Sequence, residues 1–143
     1  MNAVPQTPAS LEGVRILVAE DNYVNVLVIE GMLEDSKAEI TTTENGKEVV
    51  EAIRDRMNGD DDMPFDVVLM DIQMPVIDGE NATRIIRAMD GPVSKIPIIA
   101  LTAHAMVGDR ERYLQCGMDA YLSKPVNKAN LLEMIHSVLT PEG

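Results

Sequence analysis

Four short apolar runs, VRILVA at 14–19, VVLM at 67–70, IPIIAL at 96–101 and AYLS at 120–123, contain no alternating polar positions, and a weaker fifth run, AEITTT, lies at 38–43. A strand with one face in water alternates apolar and polar side chains, so unbroken runs predict strands covered on both faces of a parallel sheet. Helical spacing fills the intervals at about 22–34, 46–57, 79–89, 105–116 and 127–139. Strand and helix therefore alternate five times. Parallel strands need crossover connections, and helices must cover both sheet faces, which predicts a (βα)5 doubly wound α/β domain. The 143 residues, 45% of them hydrophobic, suffice for one such domain with its own core. Its expected span is 13–139, between an N-terminal tail or linker at 1–12, which carries Pro5 and Pro8, and a short tail at 140–143.

Charge and cysteine usage narrow the functional classes. A formal net charge of −12 repels phosphate backbones and anionic lipid, so neither direct nucleic-acid binding nor membrane contact by this domain is expected. The single cysteine, Cys116, forms no intrachain disulfide and no zinc cluster, and its simplest role is a small core or helix-end residue. No apolar run approaches bilayer-spanning length, and MNAVPQTPASLEG lacks the blocks of a signal peptide. The expected setting is the cytoplasm. Asp60, Asp61 and Asp62 sit together in a loop without the ligand spacing of a calcium loop, and read as a solvated connection.

In a doubly wound sheet the site forms at the carboxyl ends of the strands, so the residues that follow each strand carry the functional signal. Strand 1 ends in Glu20-Asp21, strand 3 in Asp71, strand 4 in Thr102-Ala103, and strand 5 runs into Lys124-Pro125. Taken singly, each is an ordinary turn or cap residue. Together they bring three carboxylates, one hydroxyl and one ammonium to one edge. Clustered carboxylates repel unless a cation neutralises them, and oxygen donors of this kind suit Mg²⁺, with Mn²⁺ as the alternative ion.

The motifs AEDN at 19–22, LMDIQMPVIDG at 69–79, ALTA at 100–103 and YLSKP at 121–125 resemble the receiver domain of two-component response regulators, and the resemblance covers about 13–139. It implies a flavodoxin-like fold with strand order 2-1-3-4-5 and an aspartate that accepts a phosphoryl group from a histidine kinase or a histidine phosphotransfer protein. Asp71 matches the acceptor. Glu20 and Asp21 match the acidic pair of a Mg²⁺ site that also takes Asp71 and the backbone carbonyl of Gln73. Thr102 matches the switch hydroxyl, Tyr121 the switch aromatic, and Lys124 the site lysine, usually followed by a cis bond to Pro125. Such a domain is a signalling phosphoacceptor that assists its own phosphorylation and dephosphorylation rather than an enzyme with a separate substrate.

Ala103, Gln73 and His104 are expected to flank the phosphoryl group. On phosphorylation Thr102 would move toward it and Tyr121 would turn inward, changing the surface of helix 4, strand 5 and helix 5, through which receivers of this kind also form homodimers. Helix 1 is apolar on more than one side. Asn25, Val28, Ile29 and Met32 make a stripe expected to face the sheet, while Val24, Leu27 and Gly31 make a second stripe available for docking a kinase helical hairpin or phosphotransfer bundle. The wording is most similar to receivers of hybrid sensor kinases, some of them membrane-bound, or to stand-alone phosphorelay receivers. No helix-turn-helix follows Leu139, so direct transcription control by this chain is not expected. A haloacid-dehalogenase-type phosphotransferase would need an acid where Gln73 stands, and an FMN-binding module would need a Ser-, Thr- and Gly-rich loop after strand 1. A phosphorylation-independent interaction module would have no use for the complete acid and lysine set.

Overall fold

A computed structural model describes residues 10–57, 63–103 and 108–139. Asp60 to Asp62, His104 and the expected first turn of the fourth helix at 105–107 lie outside the described residues. The strands are β1 (Arg15–Ala19), β2 (Glu39–Thr43), β3 (Val67–Asp71), β4 (Ile98–Thr102) and β5 (Ala120–Ser123). They alternate with α1 (Tyr23–Leu33), α2 (Gly46–Met57), α3 (Gly79–Arg87), α4 (Asp109–Gln115) and α5 (Lys128–Leu139). All strand pairings are parallel, and the sheet order is β2-β1-β3-β4-β5.

The unbroken apolar runs are explained by the two cores. Ile16 and Val18 of β1 and Val67 and Leu69 of β3 pack with Ile29 and Leu33 of α1 and Leu131 and Ile135 of α5. Their neighbours in the same strands, Leu17, Ala19, Val68 and Met70, pack on the other face with Val49, Ile53, Ala82 and Ile86 of α2 and α3 and Tyr113 of α4. Successive side chains point to opposite faces, so every position in such a strand is buried.

Three boundaries and phases differ from expectation. The fourth strand starts at Ile98 rather than Ile96, because Ile96 closes a 3-10 turn over Pro92–Lys95 with its N–H on the Val93 carbonyl at 3.0 Å. Asp71 and Thr102 end their strands as expected, and so are held by the sheet. Leu11, assigned by sequence to the tail, is buried in the α1/α5 core, with its N–H on the Ser36 carbonyl at 2.6 Å. In α1 the sheet-facing residues are Val26, Ile29 and Leu33, whereas Val28, expected to face the sheet, is 47% exposed. A helix apolar on all sides has no polar face to fix its phase, and packing decides it.

Candidate functional site

The strand ends deliver the site as rigid points. Glu20 follows β1 and is buried, its N–H tied to the Thr43 carbonyl at 3.0 Å. Its Oε1 accepts from the Asn22 N–H at 3.3 Å and from Asn25 Nδ2 at 3.2 Å, and its Oε2 accepts from Lys124 Nζ at 2.9 Å. Asp21 beside it is exposed. Asn22 caps α1, its Oδ1 accepting from the Val24 and Asn25 N–H groups at 2.9 and 3.3 Å, so the helix start and the Glu20 carboxylate are fixed by the same turn.

Asp71 is held from three sides. Its side chain is 5% exposed, and Oδ1 accepts from the Gln73 N–H at 3.2 Å and lies 3.2 Å from Lys124 Nζ. Behind it, Gly79 N–H bonds the Ile72 carbonyl at 3.0 Å, bringing the first turn of α3 against the strand end. A Cβ on Gly79 would overlap the Asp71 carbonyl oxygen, so only glycine permits this approach. Asp78 caps α3 through the Asn81 N–H at 2.8 Å. Between Asp71 and Asp78, Val76 adopts a φ of 69°, an uncommon conformation for a β-branched residue, in the loop that joins β3 to α3.

Lys124 bridges the two buried carboxylates, with Glu20 the shorter partner. Its own N–H bonds the Thr102 carbonyl at 2.8 Å, and the Lys124–Pro125 peptide is cis. Burial pushes the Asp71 carboxyl up to about 6, with the Glu20 charge adding to the shift and Lys124 opposing it. Burial acts to lower the Lys124 ammonium, but the hydrogen bonds and charges of Glu20 and Asp71 together outweigh it, and the net shift is upward. The lysine therefore stays charged.

Carboxylate oxygens of Glu20, Asp21 and Asp71 all lie within 4.8 Å of one another. They line an open cleft of about 300 Å³ together with Asn25, Gln73, Thr102, Ala103 and Lys124. Hard anionic oxygens at this separation fit a small divalent cation that keeps part of its water shell. The structure thus brings Glu20, Asp21, Asp71, Gln73, Thr102, Ala103 and Lys124 to one place. Tyr121 sits elsewhere, half-buried on the wall of a larger groove of about 650 Å³ between β5, α4 and α5. Val24, Leu27 and Gly31 are exposed on α1.

Sequence reasoning missed two residues. Asn25 was assigned to a sheet-facing stripe, yet its amide orients Glu20 in the cleft. Tyr113 carries no motif, yet its hydroxyl lies 3.1 Å from Thr102 Oγ1. Helical spacing places Tyr113 on the fourth helix and says nothing of where its phenol oxygen ends.

The family model described as the response regulator receiver domain matches residues 16–136. The sensor protein GacS of Pseudomonas syringae pv. syringae is 41% identical over 130 residues, covering 90% of this chain and 14% of that protein. Hybrid signal transduction histidine kinase I of Dictyostelium discoideum is 40% identical over 124 residues, covering 86% of this chain and 7% of that protein. This chain therefore spans a small fraction of the length of the curated relatives it matches. The receiver domain of sensor histidine kinase PA1611 from Pseudomonas aeruginosa PAO1, solved with a magnesium ion coordinated in the active site cleft, superposes with a TM-score of 0.74 at 42% identity, covering 89% of this chain and 98% of that one. The receiver domain of the histidine kinase CKI1 from Arabidopsis thaliana, complexed with Mg²⁺ and BeF3⁻, gives a TM-score of 0.71 at 36% identity, covering 89% of this chain and 92% of that one.

Proposed function

This chain belongs to the response regulator receiver domain family, and from that premise we propose that Asp71 accepts a phosphoryl group from a phosphohistidine on a histidine kinase or a histidine phosphotransfer protein. The observation that carries the reading is the position of Asp71, fixed at a strand end, nearly buried and bonded to Lys124, yet facing an open cleft. An Asp71 oxygen attacks phosphorus as the bond from phosphorus to the donor imidazole nitrogen breaks, and the electron pair leaves with the imidazole. With its pKa at about 6, Asp71 is largely the anionic nucleophile at pH 7 and above. Lys124, already aimed at Asp71, pairs with the transferring oxygens, and the Thr102 hydroxyl donates to them once it has moved. Ala103 leaves room beside Thr102, and the exposed Gln73 side chain stands at the mouth, where it meets incoming water.

Glu20, Asp21, Asp71 and the Gln73 backbone carbonyl would hold Mg²⁺, or Mn²⁺ on the same donors, which when bound neutralises phosphoryl charge. The same reading assigns Tyr121 as the aromatic that turns inward and the α4, β5 and α5 surface as the face that changes, available to an output partner or to a second copy of the chain. Tyr23 and Val24 are 72% and 65% exposed and Leu27 and Val28 about half so, which supports docking of a helical donor on α1 beside the cleft. The folded unit runs over 13–139 with Leu11 packed onto it, and its inferred setting is a hybrid histidine kinase or phosphorelay of the cytoplasm. No helix among the described residues is long and apolar enough to cross a membrane.

Incubation with Mg²⁺ and phosphoramidate, followed by intact mass measurement, tests the assignment. The wild-type chain gains one phosphoryl group and Asp71→Asn gains none. Equal gain by both would remove Asp71 from the role.

A further inference from the structure

Thr102 and Tyr113 are both 2% exposed, and their hydroxyl oxygens lie 3.1 Å apart at the junction of β4 and α4. The backbone that carries the phenol is held at two points. The Tyr113 carbonyl accepts from the Met118 N–H and from Cys116 Sγ, each at 3.1 Å, which fixes its backbone at the end of the short helix. Its ring lies in the α2/α3/α4 core, 6.4 Å from the Tyr121 ring at a tilted angle of 53°. Either hydroxyl can be the donor, and in both cases the bond holds the Thr102 oxygen toward α4. Among the described contacts of Asp71 are Gln73 and Lys124, not Thr102.

Resting on the receiver reading of this site, we propose that Tyr113 is a positioning residue that competes with the phosphoryl group on Asp71 for the Thr102 hydroxyl. While the phenol holds Thr102, the chain is biased toward its unmodified arrangement. When a phosphoryl oxygen draws the Thr102 hydroxyl toward Asp71, the Thr102–Tyr113 hydrogen bond breaks whichever oxygen donates, and α4 and the Tyr121 ring beside it lose that restraint at the same moment. Coupling of this kind is reciprocal: whatever the phenol adds to the resting state it subtracts from binding at Asp71.

The test uses BeF3⁻ with Mg²⁺ as the phosphoryl probe on the full chain. Tyr113→Phe removes the hydroxyl and keeps the ring, and loss of one net hydrogen bond from the resting state is expected to tighten BeF3⁻ binding roughly threefold to tenfold. The gain should vanish when Thr102→Ala is combined with it and survive with Thr102→Ser, which keeps a hydroxyl. Unchanged or weaker binding by Tyr113→Phe overturns the inference, as does a gain that persists undiminished with Thr102→Ala, since a purely structural effect would not depend on Thr102. If the wild-type chain binds no BeF3⁻ at Asp71, the receiver reading itself fails and the inference falls with it, an outcome distinct from equal binding by wild type and variant.

Discussion

Asp71 stays in the folded chain at an energetic cost. Its carboxyl holds its proton more tightly when folded, with a pKa of about 6 against 3.8, so the folded state loses stability as pH rises between those two values. Above about pH 6 the loss is complete. Asp71→Asn, melted in chelator, is expected to be more stable than wild type at pH 7.5 by about 1–3 kcal/mol, and the difference should close as pH falls below about 4. A variant no more stable than wild type at pH 7.5 would show that Lys124 already offsets the burial. At this scale the chemically distinctive residues were legible in the sequence, because Glu20, Asp21, Asp71, Thr102 and Lys124 each follow an apolar run. Tyr113 and Asn25 were not, since each sits on a helix whose period marks faces and not the reach of a polar atom.

At the scale of elements, the site depends on how closely α3 meets β3. The Cβ of Gly79→Ala would press on the Asp71 carbonyl, which belongs to the sheet and cannot retreat. The variant is expected to lose about 1–3 kcal/mol in a denaturant melt and to accept phosphoryl from phosphoramidate more slowly. Full stability with normal acceptance would mean that the turn shifts freely. The existence and sequence order of the five strands and five α-helices could be read from periodicity, whereas the 3-10 turn at Pro92–Lys95 could not. The phase of α1 could not, because Tyr23, Val24, Leu27 and Val28 offer apolar surface on the side that Val26, Ile29 and Leu33 leave open.

For the molecule as a whole, the net charge of −12 and the three carboxylates at one edge make a cation the natural stabiliser. A ligand that binds only the folded chain raises its melting temperature in proportion to the logarithm of its concentration once above its dissociation constant. Mg²⁺ is expected to raise the wild-type melting temperature in this way and to raise that of Asp21→Asn much less, since Asp21 is the exposed member of the cluster and can be changed without disturbing the core. An equal rise in both would place the ion elsewhere. The doubly wound class was legible from unbroken strands joined by helices. Apolar runs do not say which strand lies beside which, so from the sequence the order β2-β1-β3-β4-β5 follows only from the motif resemblance, and the observed pairings have that order.

The tilted pair of Tyr113 and Tyr121 also gives the chain an optical property. With no tryptophan, its emission on excitation beyond the phenylalanine band comes from three tyrosines. Tyr23 is 72% exposed and open to a neutral collisional quencher such as acrylamide, whereas Tyr113 is shielded and Tyr121 half so. Light that survives the quencher therefore comes mainly from the α4–β5 pair, so the unlabelled protein carries its own fluorescent reporter at the place where its two arrangements are proposed to differ.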